Sequence, residues 1–235
     1  VSDSQWLATL GRLGLLKPGF IPPKDLRELR LITRQRIKLR GMLAAETNRL
    51  HKVLDDAGIR LGGVVSDING LSARALIGGL IEGKAPEEIV PYVHGRLKEK
   101  IPQLLETLDE PLSERHRFLL HSLEEHIGYL EKEMATLDHY LFAAMNPYKR
   151  QWEILQTIPG IDAISAAMLL VEIGIEMQSF GSAHRLASWA GMCPGNNESA
   201  GKQKGGRTRK GNRVVRQVLC EISNAASKSK SQFKG

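Results

Sequence analysis

Between Ser199 and Gly235 the chain sets Lys202, Lys204, Arg207, Arg209, Lys210, Arg213, Arg216, Lys228, Lys230 and Lys234 against one acid, Glu221. Ten bases and one acid make this segment +9, while the whole chain is +7, so the rest is slightly acidic at −2. Such a local field attracts a polyanion, and release of the polyanion's condensed counterions drives binding. Gly201, Gly205, Gly206 and Gly211 are interleaved with the charges. A residue without a side chain lets backbone N–H groups approach phosphate. The segment therefore predicts a nucleic-acid surface in preference to a solubilising tail.

A second pattern lies just upstream. Leu155 and Ile158 precede Pro159-Gly160-Ile161, and Ile164, Ala166, Ala167, Leu169 and Leu170 follow. This spacing predicts a helix, a tight turn at Gly160 and a second helix, with alanines permitting close approach. It resembles the helix-hairpin-helix motif, which offers turn N–H groups (here Gly160 and Ile161) and a helix N-terminus to a phosphate without reading bases. An ordinary helical hairpin packed on a core has the same pattern. The adjacent basic segment tips the reading towards DNA.

Other chemistries fail on spacing. The stretch GNNESAGK (195–202) is similar to a phosphate-binding loop, but its glycines are one residue too far apart. Gln203 also stands where Ser or Thr is needed. Cys193 and Cys220 fit no zinc pattern and make no disulfide scaffold. His116, His121, His126 and His139 fall on one helical stretch, but His121 and His126 are not spaced to share a face as metal ligands, so all four read as seam-edge or surface residues. No run of apolar residues is long enough to span a membrane, and VSDSQWLATL lacks the pattern of a signal peptide. The expected setting is cytoplasmic.

These residues must be held by helices. Residues 25–57 carry apolar positions at Leu29, Ile32, Leu39, Leu43, Leu50 and Val53, interrupted by Arg36 and Glu46, with alternating steps of three and four. Residues 103–145 repeat the pattern with Leu119, Leu123, Ile127, Leu130, Met134, Leu137 and Leu141. Two such seams predict a long antiparallel, coiled-coil-like pair, or pairing with a second protomer. Short helices in an insert at 58–102 should start at Ser66-Asp67 and Ser72 and be punctuated by Gly78-Gly79, Gly83 and Pro86. Asn146-Pro147 ends the pair. The expected fold is mainly α, with 1–24 as a leading segment, 25–147 as the helical pair and its insert, and 148–235 as a compact helical domain. Gly191 to Gly211 reads as loop.

From Ile158 to Ala226 the ordered elements IPGI, AAMLLVEIG, FGSAHRLASWAGMCPG, ESAGK and RTRKGNRVVRQVL closely resemble the C-terminal domain of insertion-sequence transposases. These are the transposases that carry an N-terminal RuvC-like domain with a DEDD acidic tetrad. The upstream helices and GLLKPGFIPP also resemble that family. The resemblance implies a DNA recombinase that cuts and rejoins strands, with Mg²⁺ held by the four carboxylates as Lewis acid. It further implies oligomers, here through the long helices, a noncoding guide RNA as partner, and a bacterial or archaeal, nucleoid-associated setting.

Two residues carry over. Ser199 occupies the position of the family's nucleophilic serine, with Ala200 where the family has Gly. Lys202, Lys204, Arg207 and Arg209, with Lys210 and Arg213 beyond, would hold the DNA phosphate and its developing charge. Asp3 resembles the last acid of the tetrad and so a metal ligand, which makes 1–24 a remnant of the RuvC-like catalytic domain, with the other three acids expected upstream. On that reading this chain looks like the C-terminal part of a transposase that binds DNA but does not complete transposition by itself. The alternative is a non-catalytic helix-hairpin-helix remnant that binds DNA or RNA.

Overall fold

The computed structural model describes residues 2–16, 19–194, 198, 199, 201–203, 205, 208 and 210–229, with the backbone alone at 198, 199 and 203. Among these residues the chain is mainly helical. In order come α1 (Ser2–Arg12), α2 (Lys24–Asp56), α3 (Leu71–Glu82), α4 (Pro86–Ile89), α5 (Ile101–Leu108), α6 (Glu114–Ala144), α7 (Lys149–Gln156), α8 (Ala163–Ile173) and α9 (Ala183–Trp189). The short strands β1 (Glu198–Ser199) and β2 (Lys202–Gln203) follow, then α10 (Arg213–Lys228). Two compact units divide the chain: Arg34–Tyr140, and Val1–Thr33 with Leu141–Gly235. Both divisions fall inside long helices. Among the described residues no helix is long and apolar enough to cross a membrane.

In the Arg34–Tyr140 unit, α2 and α6 run antiparallel. Arg36 pairs with Asp138, Glu46 with His126 at 3.2 Å, and Asp56 with His116 at 3.0 Å, so the numbering rises on one helix as it falls on the other. These pairs also explain the two interruptions in the first seam. Arg36 donates to both carboxylate oxygens of Asp138 through Nε and Nη2, and the buried Glu46 takes Arg49 as well as His126. A charge is tolerated at a seam when it is met across it. On α6 the seam begins at Leu120, fully buried, whereas Leu119 is half exposed. From Leu120 through Leu123, Ile127, Leu130, Met134, Leu137 and Leu141 the steps alternate three and four throughout.

The second long helix starts at Glu114 instead of 103. Pro111 cannot donate to a helical bond and disfavours helical backbone before it, and Ser113 accepts the His116 N–H to begin α6 afresh. The insert differs from expectation in its caps. Gly70 precedes α3 without a side-chain cap. The Ser72 hydroxyl accepts the His94 N–H, and Asp67 accepts from Asn69. Gly83 ends α3 in the left-handed region at φ 78°. Gly79, by contrast, lies inside α3, because the space its side chain would fill is occupied by Ile89. Leu54, Ile59, Leu61, Leu76, Ile77, Leu104 and Ile127 make one apolar core here.

The other unit builds its core from the end of α6 and the whole of α8. Leu141, Met145, Ala167, Leu170 and Val171 are buried together, ringed by Leu29, Ile32, Trp152 and Leu155. Helix α1 buries nothing, and Trp6 and Leu7 on it are exposed.

Candidate nucleic-acid interface

The hairpin α7–α8 forms as its sequence predicts, and its caps are local. The Asp162 carboxylate accepts the Ser165 N–H at 2.7 Å, stopping α8 from fraying and placing a negative charge at its positive end. The Trp152 indole donates to the Ala163 carbonyl at 2.7 Å and fixes the two helices together. Gly160 takes φ 87° in the turn, which L side chains rarely adopt. A Cβ added there would stand 2.6 Å from the Ile222 carbonyl oxygen and 2.8 Å from the Ala226 nitrogen of α10. The missing side chain thus admits the backbone of α10. The Ile161 N–H donates within the turn, to the Ile158 carbonyl at 3.1 Å.

Helix α10 is amphipathic. Val215, Val218, Ile222 and Ala226 are buried at steps of three and four, while Arg213, Arg216 and Lys228 are exposed. Its N-cap is Asn212, whose side-chain oxygen accepts from Val214 and Val215. The other end of the Asn212 side chain donates to Glu172 at 2.7 Å. Glu172 is fully buried on α8, and the same carboxylate oxygen lies 3.2 Å from Arg30 Nε. Arg30 also donates to the Glu172 carbonyl at 2.8 Å. A carboxylate inside an apolar helix is stable only when met in this way.

Between α9 and α10 the chain leaves the core and returns to it at nearly one point. A Cβ at Gly211 would stand 2.5 Å from the Ala190 carbonyl carbon and 2.6 Å from Gly191 Cα. The Asn212 N–H donates to the Trp189 carbonyl at 3.1 Å. Phe20, Phe180 and Trp189 stack around that base, with ring centroids 4.5 to 5.8 Å apart. The excursion is an arm. Pro194 bridges Thr208, and further out Glu198 pairs with Gln203 and Ser199 with Lys202, antiparallel. Gly201 turns the chain at φ 73°. A loop was expected here, and it contains a short ladder.

Two transposase family models match the chain, one at each end. A model described as "Transposase IS116/IS110/IS902 family" matches residues 152–235, and a model described as "Transposase", for the DEDD domain of IS110 elements, matches residues 1–59. The chain belongs to the IS110 family of transposases. No curated protein and no solved structure matches it. Family membership brings transposition of an insertion sequence, and with it DNA binding. The DEDD match points to dependence on a divalent metal.

The residues that the sequence singled out can now be located on the fold. The backbone of Ser199 lies on β1 with Lys202 directly across the ladder. Lys202 is exposed, as are Lys210 and Arg213 at the return foot of the arm. Lys204, Arg207, Arg209 and the Ser199 side chain lie outside the described residues. Gly160 and Ile161 belong to the same unit but sit in the turn under α10. Asp3 is exposed on α1, and the described residues assemble no group of three His, Cys, Asp or Glu that could hold a metal. One carboxylate does not make the donor set of a divalent cation, so the described residues do not fit that group.

Sequence reasoning passed over Glu172, Asn212 and Arg30. Glu172 gives the one available signal: an acid inside AAMLLVEIG demands a partner. Its partners come from 142 residues upstream and 40 residues downstream, and spacing cannot name them.

Proposed function

We propose that the arm from Gly191 to Gly211 is the DNA-reactive element of this transposase and that Ser199 is its nucleophile. The Ser199 Oγ attacks a DNA phosphorus. A serine–phosphorus ester forms, the bond to one deoxyribose oxygen breaks, and that oxygen leaves with a proton. Attack by a deoxyribose hydroxyl of another strand reverses the step, joins the strands and returns the serine. Lys202, Lys204, Arg207 and Arg209 hold the phosphate oxygens and offset the negative charge that develops on them. Lys210 and Arg213 meet phosphates further along the strand.

The observation that carries this reading is the Ser199–Lys202 pair on a two-stranded ladder, raised from the core on feet only a van der Waals contact apart. On that backbone ladder residue 199 stands opposite the exposed Lys202. Gly160 and Ile161 support the interface by seating α10, whose Arg213 and Arg216 face outward. The resemblance assigns Asp3 to a four-carboxylate set for Mg²⁺, which supplies Lewis-acid chemistry when bound. No step is routed through it here. Pairing with a guide RNA and oligomers through the long helices belong to the same reading.

Replacing Ser199 by Ala in the full-length transposase tests it on donor DNA. The covalent protein–DNA adduct is expected to vanish while DNA affinity stays within about twofold, since phosphate contacts carry binding. Persistent adduct in Ser199→Ala moves the nucleophile elsewhere, and a parent protein that binds DNA and never forms adduct favours the non-catalytic reading.

A further inference from the structure

Nothing in the proposed chemistry uses Glu172, yet it is the buried carboxylate on which the arm's return foot is tied. We infer that Glu172 is a positioning residue: through Asn212 it fixes the foot of the arm and so sets where Ser199 stands. This inference rests on the assignment of Ser199 to the reaction.

The argument is one of connectivity and burial. Asn212 is the first residue after the arm. Its two amide ends do different work. The oxygen caps α10 through Val214 and Val215, and the nitrogen reaches back to Glu172. Its own backbone N–H is held by the Trp189 carbonyl, next to the departing foot. Gly211 beside it lies against Ala190 and Gly191 with no room for a side chain. Arg30 holds Glu172 from α2 through both the carboxylate and the carbonyl. Core, helix cap and the return foot of the arm therefore meet at Glu172, whose side chain solvent does not reach. A capping residue needs only its oxygen. The second bond, to a fully buried acid, serves the foot and not the helix.

The two functions of Asn212 separate by substitution. Asn212→Asp keeps an equally good cap but turns the donor facing Glu172 into a second carboxylate oxygen. Adding Glu172→Gln reverses the polarity of the bond, with the new amide donating to the new acid. The experiment reads amide hydrogen exchange across residues 192–210, DNA affinity and adduct formation in the full-length transposase.

Asn212→Asp is expected to speed exchange in the arm by about tenfold or more and to cut adduct formation by a similar factor, with DNA affinity unchanged. The double variant is expected to return both to within about threefold of the parent. Exchange within Arg34–Tyr140 should stay at the parent's rate in every variant.

Unchanged arm exchange in Asn212→Asp overturns the inference. So does faster exchange with undiminished adduct, or a double variant no better than the single. If Asn212→Asp alone unfolds its unit, the double variant decides: native exchange in the arm supports the tie, and continued unfolding overturns it. The serine assignment fails separately. Adduct that survives Ser199→Ala removes the nucleophile while the exchange comparison still reports whether Glu172 holds the arm.

Discussion

The Arg34–Tyr140 unit and the C-terminal part of the chain solve the same problem by opposite means. The first is filled with large aliphatic side chains such as Leu54, Leu76, Ile77 and Leu104, all essentially out of water, and it is laced at the seam by ion pairs. The second is closed by what is missing. Gly160 admits the backbone of α10, Gly211 admits Ala190 and Gly191, and a single buried acid ties the pieces. Aliphatic packing gives stability that tolerates adjustment. Backbone contact through glycine leaves no slack, and that would suit the proposed role of the arm, which needs a reactive group held within a fraction of an ångström.

The largest break in this comparison should come from Leu76→Ala. Its side chain is fully buried, and truncation costs about 3 kcal/mol through lost transfer and the cavity left behind. Chemical denaturation should show that loss, with exchange faster in α3 and its neighbours and the arm unaffected.

Gly160→Ala is next. One methyl group at φ 87° and 2.6 Å from a carbonyl oxygen should cost about 2 kcal/mol. A loss confined to α7, α8 and α10 by hydrogen exchange upholds the packing role. Normal stability with weakened DNA binding would instead return Gly160 to the phosphate surface.

Neutralising Lys202, Lys210 and Arg213 to Gln should leave folding intact. Each phosphate contact removed should flatten the log–log salt dependence of duplex binding by about 0.9. An unaltered slope would mean that the exposed foot of the arm does not touch DNA.

The smallest effect concerns Glu124 on α6. Burial pushes its carboxyl above the ordinary glutamate value of 4.5, against the pull of Arg74 and with the push of Glu131. Below the ordinary value the group is protonated whether the chain is folded or unfolded, and it contributes no difference. As pH rises from the ordinary value to the raised one, the unfolded chain ionises before the folded chain and stability falls; above the raised value both are ionised and it falls no further. Glu124→Gln should therefore match the parent at low pH and exceed it at neutral pH by less than about 1 kcal/mol, given the partial exposure. A constant difference across the range would contradict the assignment.

The elements that read well from sequence are those whose evidence is local. The seams of α2 and α6 and the turn at Gly160 follow from spacing. Helix α10 also buries Val215, Val218 and Ile222, as their spacing requires. The family was legible because several ordered motifs recur together. Three things were not legible. The ladder at Ser199 has no alternation of apolar residues, because it is held by backbone pairing and by a contact between Gly191 and Gly211. Leu119 and Leu120 are interchangeable until the partner helix is in place. The tie of Glu172 to Arg30 and Asn212 spans most of the chain. In each case the deciding contact is distant in sequence.

The most direct measurement is mass spectrometry of the covalent adduct formed by the full-length transposase on donor DNA, after protease and nuclease digestion. The account expects a nucleotide remnant on the peptide that contains Ser199, attached at that serine and absent in Ser199→Ala. A remnant mapped to any other residue contradicts it.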